Sequence, residues 1–92
     1  MRKPRALFEL GRLVATPGVL DAVPRREFLS AVSRHLKGDW GEVPDGDARE
    51  NELALRCGFR IVSAYRTANG TEFFIITEGN RSYTTVLLKN EY

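Results

Sequence analysis

Apolar and polar residues alternate most regularly between Phe59 and Leu88, where three runs, FRIVSAYRT, TEFFIITE and SYTTVLL, are separated by Ala68-Asn69-Gly70 and Gly79-Asn80-Arg81. A period of two marks strands that bury one face. An Asn-Gly between β-branched and aromatic residues marks a tight hairpin, because both residues tolerate the positive φ such turns demand. The expectation is a three-stranded antiparallel meander. Within it, Phe73 and Ile75 point one way and Phe74 and Ile76 the other, so the middle strand is apolar on both sides and belongs at a central position. The last strand, Ser82 to Leu88, is expected at an open edge where another chain can pair with it, through Val86 above all.

Upstream, the period changes. Leu7 to Thr16 reads as a first strand, with Leu10, Leu13 and Val14 as its apolar content and Gly11 as a bulge. Thr16-Pro17 then starts a short helix, Thr as cap and Pro at the first helical position, with Val19, Leu20 and Val23 on one face. After Pro24, Phe28, Leu29, Val32 and Leu36 form the stripe of an amphipathic helix packed on a sheet, closed by Gly38. A loop rich in Gly, Pro and Asp follows, anchored by Trp40. Asp47 and Glu50 have capping-box spacing and predict a third helix that Gly58 closes in the left-handed conformation.

The chain has 92 residues, 42% hydrophobic and 28% charged, an ordinary globular composition. We expect a basic arm, residues 1–6, followed by one α+β domain, residues 7–92. No run approaches the ~18 apolar residues of a membrane span, and Glu9 and Arg12 interrupt any apolar segment of the kind a secretory signal needs. A cytoplasmic location is therefore expected, with no membrane partner. The lone Cys57 reads as a small buried hydrophobe at a helix end.

Charge sharpens this picture more than composition does. Of 14 basic residues, Arg2, Lys3 and Arg5 lie in the arm, and the remaining 11 face 12 acidic ones. The arm is thus a candidate nucleic-acid contact. The stretch Asp39–Glu52 holds six acids and one base, Arg49. That polarity suits a solvated acidic loop beside a basic helix, and it also suits the steering of a charged partner.

Candidate chemistry is sparse. If the second helix continues to Asp39, His35 and Asp39 lie four apart on one face, an arrangement that orients an imidazole for proton transfer. The preferred alternative is structural: Asp39 caps the turn after Gly38, Trp40 plugs the core edge and His35 favours the helix C-terminal dipole. Tyr65, Arg66, Arg81, Tyr83, Thr84 and Thr85 form a polar set on the expected sheet that could grip phosphate and stack bases, although such residues equally suit solvent-facing strand positions. One His and scattered carboxylates supply no closed metal-ligand set, and no cofactor is expected.

HLKGDWG, RENELAL and the segment RIVSAYRTANGTEFFIITEGNRSYTTVLLKNEY together resemble a group of small uncharacterised bacterial proteins encoded on plasmids and other mobile elements, sometimes labelled plasmid-related or restriction-modification subunits. The resemblance covers about Phe8 to Tyr92 and implies a mobile-element or defence context without an activity. The order strand, two helices, three antiparallel strands, with RLVATPGVLDAV before a basic helix, is similar to the RelE/ParE toxin scaffold. That resemblance implies RNA cleavage as the enzyme alternative, and the late strands depart from it in carrying few basic residues.

These readings combine into an α+β fold with a mainly antiparallel four-stranded sheet and helices on one face. The expected function is a non-catalytic accessory protein that binds a protein partner or a second copy, through Asp39, Trp40, Tyr65, Tyr83 and Val86. The first alternative is a ribonuclease using His35, Arg66, Arg81 and Tyr83, the second nucleic-acid binding through the arm.

Overall fold

The computed structural model describes residues 6–92. Two tight turns join β2 (Ile61–Arg66), β3 (Glu72–Thr77) and β4 (Tyr83–Leu88) into the expected antiparallel meander. A fourth strand, β1 (Arg12–Ala15), lies against β4 in parallel, so the sheet is mixed and its order is β1-β4-β3-β2. A parallel partner requires a long crossover. Here α1 (Pro17–Ala22), α2 (Arg25–Leu36), α3 (Asp45–Cys57) and the strands β2 and β3 intervene. β1 is shorter than the strand expected from Leu7 to Thr16.

The placement of β1 corrects the expectation of an open last strand. β4 is paired on both sides, and Val86 at its centre is fully buried. The edges are β1 and β2 instead, and the edge of β2 is closed. Asn51 of α3 donates to the Val62 carbonyl at 2.8 Å and accepts from the Val62 N–H at 3.1 Å. Two residues on, Ala64 donates to the Trp40 carbonyl at 3.1 Å while its own carbonyl accepts from the Glu42 N–H at 2.7 Å. This contact requires Gly41, whose φ is +73° and where any Cβ would collide with the Ala64 carbonyl.

α1 and α2 pack on one face of the sheet. Val19, Val23, Ala31 and Val32 meet Tyr65, Phe73, Ile75 and Val86 in the main core, while Trp40, Ala54 and Ile61 form a second cluster with Phe8, Val43, Ala48 and Leu55. The α2 stripe is Phe28, Ala31, Val32, His35 and Leu36, and Leu29 is exposed; on α1 the exposed residue is Leu20. The sequence stripe was therefore rotated, because it counted Leu29 as apolar and His35 as polar.

Thr16 caps α1 as expected, accepting from the Val19 N–H at 3.1 Å ahead of Pro17. α3 begins earlier than expected, at Asp45 after Pro44, so Asp47 lies inside the first turn and the Asp47–Glu50 capping box does not form. Gly58 closes that helix with φ 75° as expected, but Cys57 beside it is exposed rather than buried.

Both hairpins use one device. Gly70 donates to the Thr67 carbonyl at 2.9 Å and takes φ +93°, whereas Asn69 does not adopt positive φ. Asn69 instead accepts from the hydroxyls of Thr67 and Thr71, so its side chain rather than its backbone makes the turn. In the second hairpin Arg81 donates its N–H to the Glu78 carbonyl at 2.9 Å and itself occupies the left-handed region at φ 61°.

Candidate functional site

His35 reaches the sheet from the last turns of α2 and is fully buried, as are Ser63, Thr77 and Thr84. Strand alternation places the three hydroxyls on the helix-covered face with Ile61, Ile75 and Val86. His35 Nδ1 lies 2.5 Å from Ser63 Oγ and Nε2 lies 2.9 Å from Thr77 Oγ1. Thr77 Oγ1 is 2.7 Å from Thr84 Oγ1, and the Thr84 hydroxyl donates to the Leu10 carbonyl at 2.8 Å.

A carbonyl can only accept, and this fixes the direction of the whole chain. Thr84 donates to Leu10, so it accepts from Thr77, which accepts from His35 Nε2–H. In the neutral ring that one proton sits on Nε2, so Nδ1 accepts from the Ser63 hydroxyl. Burial holds the imidazole pKa down, with a smaller push from the Arg81 cation, to about 4. Phe8 and Trp40 close over the ring edge-on, at centroid distances of 5.1 and 5.9 Å.

His35 does not pair with Asp39, because α2 ends at Leu36 and the chain turns through Gly38, whose φ is +84°. Asp39 binds the Arg34 guanidinium instead, at 2.7 and 3.2 Å, and that hydrogen bond holds its carboxyl below the usual range. The same guanidinium lies 4.9 Å from the Tyr65 ring centre. Tyr65 is buried, its hydroxyl donating to the Asp39 carbonyl at 2.6 Å, and burial raises its pKa to about 12. Trp40 is buried as expected of a plug, and its Nε1–H donates to Glu52 at 2.9 Å.

Of the residues named for RNA cleavage, His35 and Arg81 come together on either side of Phe8, and Arg66 and Tyr83 do not join them. Arg81 spends its guanidinium on main-chain carbonyls, those of Phe59 at 2.7 Å, Glu78 at 3.1 Å and Ala54 at 2.9 Å, and sits 5.6 Å from the Phe8 ring centre. Arg66 lies at the far end of β2, a strand about 17 Å long at roughly 3.3 Å per residue, in exposed ion pairs with Glu42 and Glu72. Tyr83 is exposed on the sheet face opposite His35. Arg2, Lys3 and Arg5 lie outside the described residues.

The opposite face of the sheet is open in that no α-helix among the described residues lies over it, although most of its side chains are half-buried and Ile76 at its middle is buried. By register, one row across it is Ala64, Phe74 and Leu87, and the next is Val62, Ile76, Thr85 and Val14. Rows with charged residues flank them: Arg66, Glu72 and Lys89 at one end, Arg12, Tyr83 and Glu78 at the other. Tyr65, Phe73 and Ile75 point the other way, into the core. Beyond β4 a 3-10 turn, Lys89–Glu91, carries Tyr92 back over Phe74, the rings edge to face at 5.2 Å. Between Tyr92 and the Glu42–Pro44 loop lies a groove of about 310 Å³, floored by Val62, Ala64 and Phe74. Such a cleft suits an apolar side chain. Among the described residues no cluster of His, Cys, Asp and Glu could hold a metal ion.

Compared with known families, curated proteins and solved structures, the chain matches none of them. No helix among the described residues is long and apolar enough to cross a membrane.

Proposed function

We propose that this chain is a small non-catalytic interaction protein that binds a protein partner on the open face of its sheet. The observation that carries this reading is the pair of apolar rows across β2, β3, β4 and β1, flanked by charge and indented by the groove beside Tyr92. Apolar surface bordered by charged residues is the usual form of a protein contact. The accessory role in a mobile-element or defence setting rests on the resemblance of HLKGDWG and the strand segment. Of the residues first considered for contact, Tyr83 lies on the open face and Asp39 is exposed, whereas Trp40, Tyr65 and Val86 support the fold from inside. The ribonuclease alternative draws no support from the arrangement: His35 and Arg81 meet beside Phe8, but His35 is buried and Arg66 and Tyr83 lie elsewhere.

Cross-linking in a bacterial host, with partners identified by mass spectrometry, tests the proposal. A partner retained by wild type and by Leu29→Arg on α2, but lost in Val62→Arg and Leu87→Arg, is expected. Equal recovery with all four proteins sinks the open-face reading. Expression that fragments cellular RNA, and ceases to do so in Tyr83→Phe, establishes the ribonuclease in its place.

A further inference from the structure

The segment preceding β1 lies across the buried histidine and is held by few groups. The Leu7 N–H donates to the Leu36 carbonyl at 2.8 Å, Phe8 packs on His35, Trp40 and Arg81, and the Leu10 carbonyl ends the polar chain at Thr84. Leu7 itself is 54% exposed. Every other cover of the ring belongs to a firmer element: Ser63, Thr77 and Thr84 to three paired strands, and Trp40 to the loop tied down by Glu52.

We propose that residues 7–11 form a strap that protonation of His35 releases while the sheet and helices stay folded. The strap is fastened to a chain of hydrogen bonds with a single allowed direction. In the neutral ring Nδ1 accepts from Ser63 and Nε2–H donates to Thr77. A proton added at Nδ1 makes both nitrogens donors. The Ser63 hydroxyl must then turn its proton away from the ring, toward the Tyr65 hydroxyl beside it, which already donates to the Asp39 carbonyl, and the arrangement that satisfied the neutral ring is lost.

The groups facing the ring supply no compensating charge. Ser63 of β2, Thr77 of β3, Phe8 of the strap and Trp40 of the loop are all neutral. The charged group acting on the ring is Arg81, from the β3–β4 turn, and it repels a second cation. Glu52 of α3 is occupied on the far side of Trp40. An imidazolium in this position is best relieved by water. Lifting the strap admits water without breaking a helix or a central strand, and it uncovers the Trp40 and Arg81 surfaces that Phe8 covers.

Backbone and methyl NMR of the full chain between pH 7 and pH 4 tests the device. Resonances of residues 7–11 should move to random-coil positions while the methyls of Ile75 and Val86 keep native shifts, and Trp40 fluorescence should change with the strap. In His35→Gln, which cannot take up the proton, the strap should stay bound over the same range. Thr84→Val cuts the link to Leu10 without touching the titrating group, and should loosen the strap already at pH 7, by tenfold or more in the opening equilibrium. Strap and core signals lost together in one transition would overturn the proposal. So would an acid response unchanged in His35→Gln, or a Thr84→Val strap as tight as wild type.

Discussion

Asn51 and Val62 exchange two hydrogen bonds, the side-chain amide of one occupying both backbone groups of the other at 2.8 and 3.1 Å. The amide thereby takes the place of one residue of a fifth strand, and the Trp40–Glu42 main chain covers the next outward position at Ala64. A sheet edge closed in this way resists pairing with another chain. Asn51→Leu leaves both Val62 groups without a partner beside a buried position, and it should cost about 2–6 kcal/mol at roughly 1–3 kcal/mol per group. The variant should also self-associate in light scattering where wild type does not. A loss under about 0.5 kcal/mol in denaturant melts would mean that water serves Val62 as well as Asn51 does.

Arg81 does two opposing things, so two substitutions separate them. Its guanidinium ties the turn to the carbonyls of Ala54 and Phe59, while its backbone sits at φ 61°, a conformation that favours glycine. Arg81→Ala loses the clamp and keeps the strain. Arg81→Gly loses the clamp and relieves the strain. The expected order of stability is wild type, then Arg81→Gly, then Arg81→Ala, with the two variants about 1 kcal/mol apart. Thermal melts that rank Ala above Gly would show that the left-handed backbone is not strained here.

The meander was legible because its signals are local: alternation, two turns and a strand apolar on both faces. The direction of β1 was not, since no hairpin fixes it and its pairing with β4 spans most of the chain. The histidine network was within reach of the sequence. Ser63, Thr77 and Thr84 each fall in phase with core-facing Ile61, Ile75 and Val86, and His35 lies three and seven residues beyond Val32 and Phe28 on the same helix face. Reading Thr84 as part of a polar surface set and His35 as a helix-end residue, with Ser63 and Thr77 left unassigned, hid four groups that satisfy one another. Asn51 left no comparable trace, because its role depends on where α3 crosses β2.

Trp40 joins the second cluster to the loop that closes the β2 edge. Trp40→Ala should cost ~3 kcal/mol or more, as large-to-small changes in packed positions do. Trp40→Phe keeps most of the ring and loses the hydrogen bond to Glu52, and should cost about 1–2 kcal/mol. Equal losses for the two variants in urea melts would show that the indole N–H, rather than the packed ring, holds the loop.

The ion pair between Arg34 and Asp39 is well aligned at 2.7 Å, yet both side chains are about half exposed. Water screens such a pair, and its contribution is typically below about 1 kcal/mol. Asp39→Asn should therefore lower stability by less than that amount, and added salt should shrink the difference further. A larger loss would show that the pair is less screened than its exposure implies, since the asparagine can still accept from the Gly41 N–H that Asp39 holds at 3.3 Å.

The buried His35 makes stability depend on pH with a definite sign. In the folded chain its pKa is depressed to about 4, whereas the unfolded chain takes up the proton near the ordinary value of about 6.5. Between those values the unfolded state binds more protons, so folding stability rises with pH. The stabilisation is complete above pH 6.5 and is lost as pH falls toward 4. Over the full range it amounts to about 3 kcal/mol, and between pH 7 and pH 5 to about 2 kcal/mol. Carboxylates titrate in the lower part of the same window, so the quantity to measure is the difference between wild type and His35→Gln, obtained from urea melts at each pH. That difference should fall steadily from pH 7 to pH 5. A flat difference would show that the ring titrates alike in both states, and a rising one that the folded protein welcomes the imidazolium.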